Sequence, residues 1–318
     1  MTKLERLAGI FMSFALAATP ATGPAMEKVM FLKLGTVFAN EEPSETTARF
    51  PDGSSFTFDC DRYVSERGII AHRGRPVPVV RTRCESAHRP PAGTAIWLHG
   101  GPFTRFDERP HADQAALLSL GYELLTPLYA SSADRELEVT LERVAPDMDA
   151  AVAEIVAVVQ ASQRAPGRVI LCGESYGALL AAAAAGHLRA SDKLVLFSPK
   201  LTSMGQSLRS YPKILAAPLT FGGEGPGNLS MDEQDELARK MLQRFYGPWV
   251  DRGVTSMLTA DRPRDMLIVY GEKDELIGLD LMPALLALGG RSIVRRGLGH
   301  QAAQSRAHID RLIAELRR

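Results

Sequence analysis

The sequence predicts an α/β fold, a mostly parallel central sheet with helices on both faces and a helical insertion. Three observations predict it. Short apolar runs, "TAIWL", "RVILC", "KLVLF" and "DMLIVYG", recur along the second two-thirds of the chain, as expected of strands buried on both sides. Helix-patterned segments alternate with most of them. Two of the runs, "TAIWLHGG" and "RVILCG", pass straight into glycines, which mark sharp turns at strand ends.

The first 25 residues stand apart. "MTKLER" is basic, "LAGIFMSFALAA" is apolar and uncharged, and small residues and prolines follow in "TPATGPA". This is the layout of a secretory signal peptide over residues 1–25, with Ala15-Leu16-Ala17 as a candidate cleavage signal. The apolar run is too short to span a bilayer, so the mature chain is expected to be exported, periplasmic or secreted, with no membrane span. The alternatives are an ordinary N-terminal helix, or a start at Met26 and a cytoplasmic protein.

Residues 26–93 form a strand-rich segment expected to join the sheet. "ARFPDGSSFTF" places a Pro-Asp-Gly turn between two strand-like pieces, a hairpin signal, and "PVPVVRTRC" is a further strand. Cys60 and Cys84 lie in this region and are a candidate disulfide in an oxidising compartment, with two free thiols as the alternative. Cys172 ends an apolar run and is expected to be a buried free thiol.

Residues 94–318 carry the alternating pattern. "DQAALLSLG" is helical and stops at Gly121, and "YELLTPLY" is the next strand. "PDMDAAVAEIVAVVQASQ" is an amphipathic helix with Met148, Val152, Ile155 and Val159 on one face and Asp147 and Asp149 at its positive end. "RSIVRRG" is a weaker strand, and the last segment is a helix with Ile309, Leu312, Ile313 and Leu316 on one face. Residues 199–262 contain no clear strand. They hold "FGGEGPGN" and a helix opened by a Ser230/Glu233 capping box, and they are expected to form the helical insertion over the sheet.

Composition excludes some function classes. Lys plus Arg equals Asp plus Glu, at 37 each, so net charge offers no attraction for nucleic acid. No pair or cluster of Cys and His has zinc-ligand spacing, and no metal site is expected.

The chemistry centres on Gly173-Glu174-Ser175-Tyr176-Gly177, a G-x-S-x-G pattern between a strand and an alanine-rich helix. In that context the motif forms a strained turn that exposes the serine hydroxyl. A serine needs a base to become nucleophilic, and the base needs an acid to orient it. His300, in a glycine-containing loop after the last strand, is the candidate base, whereas His308 lies within the final helix. Asp274, three residues after Gly271, is the candidate acid, with Glu272 and Glu275 as rivals. The order Ser175, Asp274, His300 is that of an α/β-hydrolase triad. The oxyanion hole needs two backbone N–H groups. Tyr176 would supply one and Gly101 the other, with Phe103 as rival; His99, Gly100 and Pro102 would orient that loop.

On these residues the chain resembles the α/β-hydrolase superfamily. Within it, "HGGPFTRFDERPHADQAALLSLGYELLTPLYASS" resembles the prolyl oligopeptidase family, whose catalytic domains carry an HGGP loop, a helix, then Gly-Tyr and a strand. The resemblance spans about residues 94–318. It implies a serine hydrolase of peptide or ester bonds with no metal or organic cofactor, and a peptide or small molecule as its partner. Three departures stand out. Residues 26–93 leave no room for that family's β-propeller, "LYASS" replaces its arginine-glycine-serine segment, and "GESYG" replaces G-x-S-x-G-G. "WLHGGP" and "GESYG" are also similar to the proline iminopeptidase and serine carboxypeptidase groups. In the carboxypeptidases the elbow glutamate helps bind the substrate's C-terminal carboxylate, and Glu174 occupies the matching position. Glu174, Phe103 and Trp249 are therefore the candidate substrate-binding residues. Phe221, Phe245 and Tyr246 of the insertion could join Trp249 in lining an acyl pocket or pack onto the sheet. A carboxylesterase of small acyl esters, and a non-enzymatic binding protein on the same fold, are the alternative functions.

Overall fold

In the computed structural model the described residues are 31–39, 47–57, 60, 62–72, 75–85, 91–100, 110–128, 148–201, 249, 251–258, 265–274, 278–300 and 303–318. The expected signal segment, residues 101–109 with most of the HGGP loop, and most of the expected insertion lie outside them.

The strands are β1 (Phe31–Ala39), β2 (Thr47–Arg49), β3 (Ser55–Thr57), β4 (Tyr63–His72), β5 (Arg75–Cys84), β6 (Gly93–Leu98), β7 (Tyr122–Pro127), β8 (Arg168–Glu174), β9 (Lys193–Phe197), β10 (Met266–Gly271) and β11 (Gly290–Arg295). The α-helices are α1 (Ala112–Ser119), α2 (Met148–Ser162), α3 (Tyr176–Ala184), α4 (Val254–Met257), α5 (Met282–Ala287) and α6 (Arg306–Leu316). Among the described residues the main sheet has nine strands in the order β1-β4-β5-β7-β6-β8-β9-β10-β11, and β2 pairs with β3 in a separate hairpin. β7, β6, β8, β9, β10 and β11 run parallel, and β1, β4 and β5 add antiparallel at one edge.

The apolar runs follow from burial on both faces. On β8, Val169 and Leu171 enter one core while Ile170 and Cys172 enter the other. β9 divides in the same way, Leu194 and Leu196 against Val195 and Phe197, and so does β10, Met266 and Ile268 against Leu267 and Val269. With a period of two, neither face can be polar. α2, α3 and α5 cover the first core, and α1 and α6 cover the second. Gly121 takes φ +81 and ends α1, its N–H bonded to the Leu118 carbonyl, as a left-handed cap does.

The antiparallel edge is held by buried polar pairs. Glu66 on β4 is 1% exposed and meets Lys33 of β1 at 2.5 Å and Arg81 of β5 at 2.7 Å. Burial raises its pKa, but the Lys33 and Arg81 hydrogen bonds and the Arg83 charge outweigh this and bring it down to about 2. Ser65 bonds Thr82 at 2.8 Å across the same strands. A disulfide joins Cys60 to Cys84, with Cα atoms 5.6 Å apart, while Cys172 is a buried free thiol. Burial pushes the Cys172 thiol far above its ordinary value, which keeps it unreactive.

Candidate active site

The site stands where β6, β8, β9, β10 and β11 end, the edge at which parallel α/β sheets bind ligands. β8 ends at Glu174 and α3 begins at Tyr176, so a single residue makes the turn. That residue, Ser175, holds φ 50 and ψ −107. A positive φ is unusual for a residue with a Cβ, and it costs of order 1–3 kcal/mol. The surroundings enforce it. The Ser175 N–H donates to the Phe197 carbonyl at 2.9 Å, which binds the turn to the end of β9. A Cβ on Gly177 would stand 2.2 Å from the Leu98 carbonyl oxygen, and one on Gly173 would stand 2.4 Å from that of Gly177. Both glycines are therefore required for α3 to pack this close to β8 and β6.

The described part of the HGGP segment lies against this turn. A Cβ on Gly100 would be 3.3 Å from Ser175 Cβ and 3.5 Å from Glu174 Cγ. The half-buried Glu174 side chain thus faces the start of that loop. His99 is buried, with Nδ1 at 3.2 Å from the Gly100 carbonyl oxygen, a contact within the loop itself. Tyr176 is the first residue of α3 and is buried. Its backbone N–H is at the positive end of the helix. Gly101, Pro102 and Phe103 lie outside the described residues.

The other two candidates meet in space. Asp274, three residues beyond β10, is 1% exposed. Its carboxylate oxygens stand 2.9 and 3.0 Å from His300 Nδ1, 26 residues later in sequence. The two loops are held together along their length. Glu272 N–H donates to the Arg295 carbonyl at 3.0 Å and Lys273 N–H to the Leu298 carbonyl at 2.8 Å. The exposed Glu272 side chain accepts the Gly297 N–H at 3.0 Å, so this rival acid supports the loop from outside. Glu275, the other rival, lies outside the described residues. His308 lies in α6, is half-buried, and its ring nitrogen accepts the Gln304 N–H just before that helix.

Two residues near the site were not legible in the sequence. Lys200 follows β9 and is half-buried. Burial, partly offset by the Asp274 charge, lowers its pKa to about 8. Arg295, at the end of β11, is 2% exposed and pairs with Asp113 of α1, also 2% exposed, at 2.5 Å. Trp249 is buried on the α2–α3 face. Its indole N–H donates to Asp149 at 3.0 Å, and it lines a cavity of about 460 Å³ with Val152, Ala183 and Arg252. Ala183 is near the far end of α3 from Ser175, so this cavity is separated from the strand ends by most of that helix. Phe221, Phe245 and Tyr246 lie outside the described residues.

The chain matches the model of the alpha/beta hydrolase family over residues 95–315. It belongs to that family. Solved structures similar to this alpha/beta hydrolase share the fold at low sequence identity. An esterase from the fungus Rhizomucor miehei aligns over 98% of this chain and 95% of its own, at 15% identity and a TM-score of 0.53. A puromycin hydrolase, solved as its S511A mutant, aligns over 78% of this chain and 37% of its own, at 18% identity and a TM-score of 0.52. A puromycin-hydrolyzing peptidase from Mycobacterium tuberculosis aligns over 79% and 38%, at 17% identity and a TM-score of 0.50. This chain thus spans well under half the length of either puromycin-hydrolyzing protein. No curated protein matches it in sequence. Among the described residues, no helix is long and apolar enough to cross a membrane, and no group of three or more metal-ligating side chains is found.

Proposed function

We propose that this alpha/beta hydrolase is a serine hydrolase that cleaves peptide, amide or ester bonds through an acyl-enzyme on Ser175. The observation that carries the reading is the buried Asp274 carboxylate on His300 Nδ1, on the same sheet edge as the strained Ser175 turn. With its proton on Nδ1 held by Asp274, His300 presents Nε2 as a base. His300 accepts the Ser175 hydroxyl proton as Oγ attacks the carbonyl carbon. The tetrahedral oxyanion is stabilised by the Tyr176 N–H and a second donor, Gly101 or Phe103, in the loop that begins at His99. Collapse transfers the proton from His300 to the departing amine or alcohol. Water, deprotonated by His300, then attacks the acyl carbon, and His300 passes that proton to Ser175 Oγ as the acid leaves.

Amide substrates are favoured by the HGGP loop and by the two puromycin-hydrolyzing structures. The esterase reading is supported by the R. miehei structure, which aligns along nearly the whole chain. Glu174, facing the oxyanion loop, is the candidate contact for a substrate's charged end. The Cys60–Cys84 disulfide supports export to an oxidising compartment. The test is turnover of p-nitrophenyl esters of increasing acyl length alongside aminoacyl and peptidyl p-nitroanilides, with Ser175→Ala as control. Nitroanilide cleavage that is lost in Ser175→Ala supports the peptidase reading. Ester-only turnover transfers the protein to the esterases, and activity that survives in Ser175→Ala overturns the proposal.

A further inference from the structure

The buried ion pair between Asp113 and Arg295 lies beside the site without entering the chemistry just described. The two residues are 182 apart in sequence and lie on different elements. Asp113 is in the first turn of α1, the helix that follows the HGGP segment. Arg295 is the last residue of β11, immediately before the loop that carries His300. One Asp113 carboxylate oxygen accepts from Arg295 Nη2 at 2.5 Å, and the other accepts the Ala303 N–H at 3.4 Å. Residues 296–302, with His300 among them, are therefore bracketed by two bonds to one carboxylate. The Arg295 guanidinium also lies over the Phe197 ring, 5.8 Å from its centroid, and the Phe197 carbonyl accepts the Ser175 N–H.

We propose that Asp113 and Arg295 are positioning residues that fix the His300 loop relative to the serine turn and to the helix after the oxyanion loop. The chemistry of the pair fits that task. Two buried charges lose their hydration, and such a pair often gives no more stability than apolar residues of equal volume. What it supplies is direction. A carboxylate at a helix N-terminus with two fixed acceptor oxygens, and a planar guanidinium with fixed donors, hold three chain segments in one register. A base that must meet the serine hydroxyl at hydrogen-bond distance is sensitive to displacements of about 1 Å, which cost on the order of 10²-fold in rate.

The proposal rests on the Ser175–His300 reading, and the experiment separates the two. The double variant Asp113→Leu/Arg295→Met removes both charges together and leaves neither one buried alone. Asp113→Asn keeps the volume but can no longer accept from both Arg295 and Ala303. Steady-state hydrolysis of p-nitrophenyl acetate, fluorophosphonate labelling rate and thermal melts are measured for each. In the double variant kcat and labelling rate should fall about 10²-fold, with KM within about twofold and the melting midpoint within a few degrees of the wild type. Asp113→Asn should lose about tenfold, and Arg295→Lys, which keeps the cation, should retain more activity than the double variant. A folded double variant with wild-type kcat overturns the positioning role. If Ser175→Ala and His300→Ala are inactive in the same assay, the catalytic reading stands while this one falls; if Ser175→Ala is fully active, the catalytic reading falls first.

Discussion

Gly271 is where the register between the acid and base loops can be broken with one methyl group. It is the last residue of β10, three before Asp274. A Cβ there would stand 2.1 Å from the Gly299 carbonyl oxygen and 2.4 Å from that of Leu298. Real Cβ contacts essentially never fall below 3.0 Å. Both obstacles are backbone atoms, so neither can rotate aside, and Gly271→Ala must part the two segments by about 1 Å. Those carbonyls belong to the residues just before His300, and Lys273 N–H bonds one of them. A shift of that size at the base should lower kcat/KM about 10²-fold, and overpacking should cost about 1–3 kcal/mol. Gly53→Ala is the control. Gly53, unlike Gly271, has a positive φ, of +80, but nothing within 4 Å of an added Cβ, and it sits in the β2–β3 hairpin rather than on the loops that carry Asp274 and His300. It should lose only about 1 kcal/mol and no activity. The assay is p-nitrophenyl ester hydrolysis with a thermal melt for each variant. A folded Gly271→Ala protein with wild-type activity would refute the claim that this loop register sets the base.

Three further outcomes follow from the same structure. Ser175→Gly and Ser175→Ala should both be inactive, but the glycine variant should be about 1–2 kcal/mol more stable because it relaxes the positive φ; equal melts would remove the strain argument. Burial lowers the Lys200 pKa from 10.5 to about 8, so above pH 8 the unfolded chain binds the proton more tightly and stability rises with pH up to about 10.5. Lys200→Met should therefore stabilise the protein at pH 7 by up to about 3 kcal/mol, and denaturant melts should show the gain shrinking towards zero near pH 10.5. Reduction of Cys60–Cys84 should cost about 3 kcal/mol in a denaturant melt. Activity at 25 °C should be retained, because Cys84 and Tyr122 line one pocket at the sheet edge opposite the site.

β6, β8, β9 and β10 were legible because they are buried on both faces and mostly apolar, whereas the edge strand β11 is only partly buried and carries two arginines. β4, "YVSERGIIAH", was not legible. Its Ser65 and Glu66 are buried, and their partners, Thr82, Lys33 and Arg81, lie on neighbouring strands, so a pattern of hydrophobicity alone cannot detect it. The Asp274–His300 contact was legible as chain order plus strand ends, because the two residues follow consecutive parallel strands. The Asp113–Arg295 pair gave no sequence signal: "RSIVRRG" reads as a weak strand until its last arginine is seen facing a carboxylate from α1. Trp249 read as an aromatic that could line an acyl pocket or pack onto the sheet; it is buried in the core with its indole N–H bonded to Asp149. That commitment depends on a partner 100 residues away.

The central claim is that Ser175 is a nucleophile activated by His300. Its most direct test is peptide mass mapping after a fluorophosphonate probe is added to the native protein. The account predicts one phosphonyl adduct on Ser175, absent after heat denaturation and slowed by orders of magnitude in His300→Ala. No adduct on the folded wild type, or an adduct on another residue, would contradict it.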